Sequence, residues 1–361
     1  MSTRSNLNYC DSQITLPIMV DRIFLRLTNR CNLNCSYCFT NSGEPLPDEM
    51  SNEDWLAVVK DINRAGIKDL RITGGEPFLA PSLWSILDAA SNNFKRIVIA
   101  TNGLFLRTNA VLHLASITGL HLWVTVHSLD FLKNKNFKQF LKSRDVRGAL
   151  YAASAGIPVG CSICVHNNNM WHINQAIKIL LEGGISRVRV IYPSPIGRNI
   201  NKKIRALSFS EWIKLGEKLS RLEDQMPGKK ILFENQYYHI NSKNTQGSSI
   251  SLEKLRCQML QHPYITIDCN GDIFPCVLLT RSSNWCIGNI KKGHFVNKFV
   301  CTLYDEIIKL HKKNKIDREQ RDCVAYKNAV GTDPRNPPEG YLTTCPLIYT
   351  SKRTIKVTTW G

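Results

Sequence analysis

The chain has 361 residues, 43% hydrophobic and 21% charged, and its 47 Lys and Arg against 29 Asp and Glu give a formal net charge of +18. That length is room for two domains at about 150 residues each, or for one barrel with an appendage. No apolar run approaches the roughly 18 residues of a membrane span, and the polar segment from Met1 to Asp21 lacks the apolar centre of a secretory signal, which excludes those classes and makes the cytoplasm the expected compartment.

From Arg22 onward, short β-branched runs alternate with helical stretches, the pattern of a parallel sheet with crossover helices. Strands are predicted at Ile23–Thr28, Asp69–Thr73, Arg96–Thr101, Leu120–His127, Pro158–His166 and Arg187–Tyr192. Between the first two, Trp55, Val58, Val59 and Ile62 recur at helical spacing within Asn52–Ala65. Six β/α units over residues 22–225 give an α/β fold, a partial (β/α)6 TIM-type barrel whose active face is the C-terminal ends of its strands. After a helix at Phe209–Leu222, Gly228–Ser251 reads as a polar connector. Residues 252–361 then read as a smaller C-terminal α+β extension, cysteine-rich, with a hairpin of Tyr264–Asp268 and Asp272–Val277 turning at Asn270-Gly271.

In a reducing compartment, 13 cysteines argue for metal ligation or catalysis rather than disulfides. Cys31, Cys35 and Cys38 follow the first strand in one loop. A [4Fe-4S] cube normally takes four thiolates, so three from one loop leave one iron open to a further ligand. The second strand ends in Thr73-Gly74-Gly75-Glu76-Pro77, where the glycines permit close backbone approach and the carboxylate can receive an ammonium group. A structural zinc site would want a fourth ligand nearby, and none is evident. Cys161 and Cys164, an odd number apart on a strand, point to opposite faces and read as core cysteines; His127 reads first as a structural histidine.

In this Cys-x3-Cys-x2-Cys loop and Gly-Gly-Glu motif the sequence resembles the radical S-adenosylmethionine (SAM) superfamily over roughly residues 22–225. The resemblance implies that the cluster on Cys31, Cys35 and Cys38 binds SAM through its open iron and yields a 5′-deoxyadenosyl radical. It also implies that Gly74, Gly75 and Glu76 hold the methionyl amino group, with Tyr37 near the adenine. Thr101, Asn102, Ser128 and Asn167 match later strand-end positions that bind SAM, Ser128 at the ribose. Turn chemistry and ordinary polar strand ends compete for Thr101, Asn102 and Ser128. An electron donor such as flavodoxin or ferredoxin is implied as a partner.

Cys257, followed by Gly271-Asp-Ile-Phe-Pro-Cys276, is similar to the opening of SPASM and twitch extensions. That similarity implies one auxiliary [4Fe-4S] cluster on Cys257, Cys276, Cys323 and Cys345, with Cys269, Cys286 and Cys301 as competing ligands and buried free thiols as the plain alternative. The full SPASM run of later cysteines is absent from the sequence. Enzymes with such extensions commonly modify ribosomally made peptides, and the positive charge suits an acidic precursor. Only about twenty residues precede the first strand, too few for a winged-helix leader-binding domain, so a leader needs another site or another protein. The competing functions are a dehydrogenase or epimerase of a sugar-like molecule and, in a different class, a non-catalytic iron–sulfur or zinc protein binding RNA. The spread of the charge fits a solvated surface better than a nucleic-acid footprint.

Overall fold

A computed structural model describes most of residues 22–234 and 264–292. Seven strands run parallel in chain order: β1 (Arg22–Arg26), β2 (Asp69–Thr73), β3 (Arg96–Thr101), β4 (Leu120–Thr125), β5 (Val159–Cys164), β6 (Arg187–Ile191) and β7 (Lys230–Glu234). The expected α/β parallel sheet is therefore present. Among the described residues the sheet is open, with strand order β10 (Gly288–Asn289), β9 (Asp272–Phe274), β8 (Tyr264–Ile267), then β1-β2-β3-β4-β5-β6-β7.

Helices α1 (Asn52–Arg64), α2 (Leu83–Ala90), α3 (Thr108–Ser116), α6 (Arg144–Ser154), α7 (Ile173–Glu182) and α8 (Phe209–Asp224) pack on one face; short α4 (Asp130–Lys133) and α5 (Phe137–Lys142) precede α6. The first of these starts with a capping box, Ser51 Oγ accepting from Asp54 N at 3.1 Å and Ser51 N donating to Asp54 Oδ2 at 2.9 Å, which satisfies two otherwise orphaned donors. It buries Trp55, Val58, Val59 and Ile62 against Ile23, Leu25, Leu70 and Ile72 of the strands. Because side chains alternate along a strand, Arg22, Phe24, Arg26, Asp69, Arg71, Arg96, His121 and Trp123 fall on the opposite, inner face.

Two features differ from the sequence expectation. The supposed connector contains β7, bonded in parallel to β6; its short apolar centre, Ile231-Leu-Phe, is masked in sequence by polar flanks. The C-terminal hairpin does form, as β8 (Tyr264–Ile267) and β9 (Asp272–Phe274), but β8 pairs in parallel with β1, so the hairpin extends the main sheet. Gly271 closes its turn at φ +89°, donating from N to Asp268 O at 2.9 Å. A two-residue strand, β10 (Gly288–Asn289), completes the edge.

The hairpin is fixed to β1 by a buried ion pair, Arg26 Nη1 to Asp268 Oδ1. From Arg26 a polar chain runs to Ser42 Oγ (3.5 Å), then Thr40 Oγ1 (2.7 Å), then Cys38 Sγ (3.4 Å).

Candidate functional site

The loop carrying Cys31, Cys35 and Cys38 leaves the C-terminal end of β1 and is cinched at its base. Cys31 N donates to Gly43 O at 2.8 Å and Gly43 N to Asn29 O at 3.0 Å. The Glu49 carboxylate holds the strand exit, accepting from Thr28 Oγ1 (2.8 Å), Asn29 N (2.7 Å) and Leu46 N (2.9 Å). All three thiols are free and half-buried.

The turn after β2 is pressed against this loop. Gly75 N donates to Thr28 O at 2.7 Å and Glu76 N to Arg30 O at 2.8 Å. A Cβ on Gly75 would lie 2.3 Å from Arg30 O, and one on Gly74, at φ +154°, 2.7 Å from Thr28 O. Both glycines are thus required by the chain's own backbone.

Glu76 is 1% exposed. Its Oε1 accepts from Thr101 Oγ1 (2.7 Å) and Phe78 N (3.2 Å), and its Oε2 from Asn102 N (2.8 Å). Burial outweighs these bonds and pushes its pKa up to about 6. Asn102 Nδ2 reaches Asn32 Oδ1 in the cysteine loop at 2.9 Å. Thr101, Asn102 and Glu76 therefore form one bonded unit against that loop. A carboxylate has about four acceptor positions, so three accepted bonds leave room for another donor.

Tyr37 and His127 close the opposite side. Tyr37 Oη is 2.6 Å from His127 Nδ1, with the rings at 10° and 6.0 Å between centroids. Burial holds the phenol protonated and, against the pull of Asp145, keeps the imidazole below its ordinary pKa. A neutral imidazole can accept the phenol O–H at Nδ1. The same nitrogen lies 3.8 Å from Cys35 Sγ. Ser128 Oγ donates to Asp145 Oδ1 at 2.6 Å, and Asp145 Oδ2 accepts from the amides of His127 (2.7 Å) and Ser128 (3.0 Å). Asn167 stands apart: its N donates to Arg205 O at 3.1 Å, and its buried Oδ1 has no partner among the described residues.

Three contributors were missed in sequence. Asp145 lies in the first turn of α6 and Glu49 in a loop, and Arg198 is one of 47 Lys and Arg, so none of them carries a local sequence signal. Arg198 N donates to Cys38 O at 2.9 Å and Nη1 to Cys35 O at 3.0 Å, while Nη2 bonds Ser42 O. The adjacent Gly197, at φ +61°, could not carry a Cβ, which would sit 2.3 Å from Cys38 O. Replacing Arg198 by Gln should loosen the loop by about 1.5–3 kcal/mol, the worth of a charge-assisted hydrogen bond. Faster amide exchange confined to residues 31–43 of the metal-free protein checks this.

The thiols fit a cluster. Burial raises Cys35, and the neighbouring Cys38 and Cys31 add to it, taking its pKa to about 11. Burial would also raise Cys38, but hydrogen bonds from Thr40 and Ser42, with the Arg198 charge, hold it below its ordinary value. Thiolates that repel one another beside a cation are the electrostatic setting that bound iron would neutralise. Among the described residues no group of three His, Cys, Asp or Glu converges on a single metal ion; a cube differs in binding each thiolate to a separate iron.

Cys161 sits in the core under the helices, whereas Cys164 faces inward near Cys35 and Tyr37; burial raises both thiols. On the hairpin, Cys276 is buried with Sγ 3.0 Å from Tyr264 Oη, Cys269 is buried with its carbonyl accepting from Met50 N at 2.7 Å, and half-buried Cys286 bonds Gly288 O at 3.2 Å. Cys257, Cys301, Cys323 and Cys345 lie outside the described residues.

Residues 25–180 match the family model of the Radical SAM superfamily. The chain is 25% identical over 198 residues to the sporulation killing factor maturation protein SkfB of Bacillus subtilis, covering 53% of this chain and 47% of that protein. It is 34% identical over 149 residues to GTP 3′,8-cyclase of Geobacter sulfurreducens, covering 38% and 44%. The chain thus spans about half the length of these curated relatives. Among solved structures, SuiB of Streptococcus suis bound to S-adenosylmethionine superposes with a TM-score of 0.66 at 18% identity, covering 87% of this chain and 74% of that one. SuiB has also been solved with its precursor peptide SuiA. Residues 25–180 thus resemble the domain of a family that uses a [4Fe-4S] cluster and SAM.

Proposed function

We propose that this radical SAM domain makes the chain an enzyme that cleaves SAM at a cluster held by Cys31, Cys35 and Cys38 and modifies a ribosomally made peptide in a partial barrel. The observation that carries this is the three-thiol loop locked against Gly74-Gly75-Glu76. The peptide half draws on SkfB, a maturation protein, and on SuiB, which binds a precursor peptide. When bound, the cluster and SAM supply an electron and a 5′-deoxyadenosyl radical that abstracts hydrogen from the substrate.

The chain's own residues do the rest. Glu76 accepts the methionyl ammonium at its remaining acceptor position, beside the Gly74 and Gly75 backbone. Thr101 and Asn102 act mainly by holding that carboxylate. Tyr37, locked by His127, flanks the adenine. Ser128, set by Asp145, offers its hydroxyl lone pairs to the ribose, and the unpartnered Asn167 Oδ1 is a further acceptor. A flavodoxin or ferredoxin supplies the electron.

Glu76→Gln should weaken SAM binding by about 1.5–3 kcal/mol while iron content and visible absorption stay unchanged. In wild type the binding form is the carboxylate, so SAM affinity should fall as pH drops through about 6. The Gln variant should lack that dependence, and titration calorimetry from pH 7.5 to 5.5, at about those limits, checks both.

The C-terminal extension, residues 252–361, holds one auxiliary [4Fe-4S] cluster on Cys257, Cys276, Cys323 and Cys345 in this reading. The triple alanine variant of Cys31, Cys35 and Cys38 should then retain about four irons of about eight after reconstitution. No iron in that variant returns these cysteines to being core residues, and zinc makes them a structural zinc site.

The peptide assignment is tested by co-expression with a short peptide encoded beside the gene, in D2O. Loss of a hydrogen pair indicates crosslinking and gain of deuterium epimerisation; an unmodified peptide favours the sugar dehydrogenase or epimerase.

A further inference from the structure

Beneath the cysteine loop, the inner face of the sheet carries a field of cations. Arg22 and Arg96 flank Asp69 in one cross-strand row, and Arg71 and His121 stand in the next, two residues along β2 and β4. Arg187 and Arg189 occupy the same face of β6. Strand geometry separates such rows by about 6.6 Å and neighbouring strands by about 4.8 Å. Arg71 grips Asp69 with two nitrogens, at 2.6 and 2.7 Å. Arg189 lies 4.6 Å over the Trp123 ring and bonds Ser162 Oγ at 3.0 Å. Trp123 itself covers Gly160, where a Cβ would meet the ring at 2.6 Å. Further up the strands, Asp268 is committed to Arg26, and Glu234 takes the last position of β7.

These arginines feel one another, and His121 feels them. Burial and then Arg71, Arg187 and Arg22 lower the pKa of Arg96, with Asp69 opposing, and burial with Arg96, Arg187 and Arg71 lowers that of His121. Concentrated like charge is costly, and an anion would relieve it. Rows one extended-chain repeat apart match alternate side chains of a peptide strand better than a single compact phosphate.

We propose that this inner face binds the carboxylates of an acidic peptide segment running parallel to the strands, over the cations of β1–β3 and β6, placing an adjoining residue at the cysteine loop at the strands' C-terminal ends. The proposal rests on the peptide-modifying reading of the site and specifies its substrate class.

The test is calorimetric binding of N-acetylated hexaglutamate to the full chain. Wild type should bind it, R96Q/R187Q about ten-fold more weakly, and R96K/R187K nearly as well as wild type. The outer-helix variant K60Q/K218Q should match wild type. In unmutated protein, hexaglutamate should shield Arg96 and Arg187 from phenylglyoxal, read by mass spectrometry, which covers the case of variants that fail to fold. The proposal is overturned by equal loss in the inner- and outer-face pairs, by no shielding, or by inorganic phosphate displacing the peptide at equal concentration. Peptide-free cleavage of SAM is independent of all these outcomes, so failure here is separable from failure of the radical SAM reading.

Discussion

Alanine at Cys31, Cys35 or Cys38 is expected to abolish SAM cleavage while leaving the fold intact. The three thiols lie on a loop held chiefly by other atoms, the Gly43 bridge, the Glu49 carboxylate and the Arg198 contacts to the Cys35, Cys38 and Ser42 carbonyls, with the sulfurs adding only the Cys35 contact to His127 at 3.8 Å and the Cys38 contact to Thr40 at 3.4 Å. Removing one thiol therefore costs little packing but takes one of three ligands from the cluster. Circular dichroism and melting should match the apo wild type, with 5′-deoxyadenosine undetectable. Wild-type-like production by any of the three would overturn their assignment.

Arg26→Met should be the most destabilising change in the sheet. It leaves Asp268, 2% exposed, without its cation, and breaking a buried pair from one side typically costs about 3–5 kcal/mol. Restoring neutrality with Arg26→Met/Asp268→Leu should recover most of that loss, because two apolar groups replace two charges that had to be desolvated. The midpoints of urea denaturation measure both. The single variant should also open the hairpin edge, since Asp268 joins β8 to β1 at the end where the polar chain to Cys38 begins. Equal stability of the single and double variants would show that the pair does not hold the hairpin.

Much of this was legible in the residues. Short β-branched runs alternating with stretches of helical periodicity placed six strands within a few residues, and the cysteine triplet and Gly74-Gly75-Glu76 lie at neighbouring strand ends. What stayed hidden depended on partners remote in sequence. Arg198 is 163 residues from the Cys35 carbonyl it binds, and Asp145 acts on amides 17 and 18 residues away; neither type nor spacing marks such a contact. The parallel union of β8 with β1 was hidden because a hairpin motif specifies its own two strands and nothing about a third. Close backbone approach at Gly74 and Gly75 is legible in their residue type, whereas its partner, the Thr28–Arg30 backbone, is set only by the fold. The inner-face cations were dissolved in a global charge of +18, which no local pattern divides into one face and another.

The most direct test of the central claim is anaerobic reconstitution with iron and sulfide, followed by incubation with SAM and dithionite and quantitation of 5′-deoxyadenosine. Steady release of 5′-deoxyadenosine and methionine, dependent on the reductant and lost in the Cys31, Cys35 and Cys38 variants, is the expected result. A fully reconstituted protein that leaves SAM intact, or that takes up zinc at those cysteines instead of iron, would contradict it.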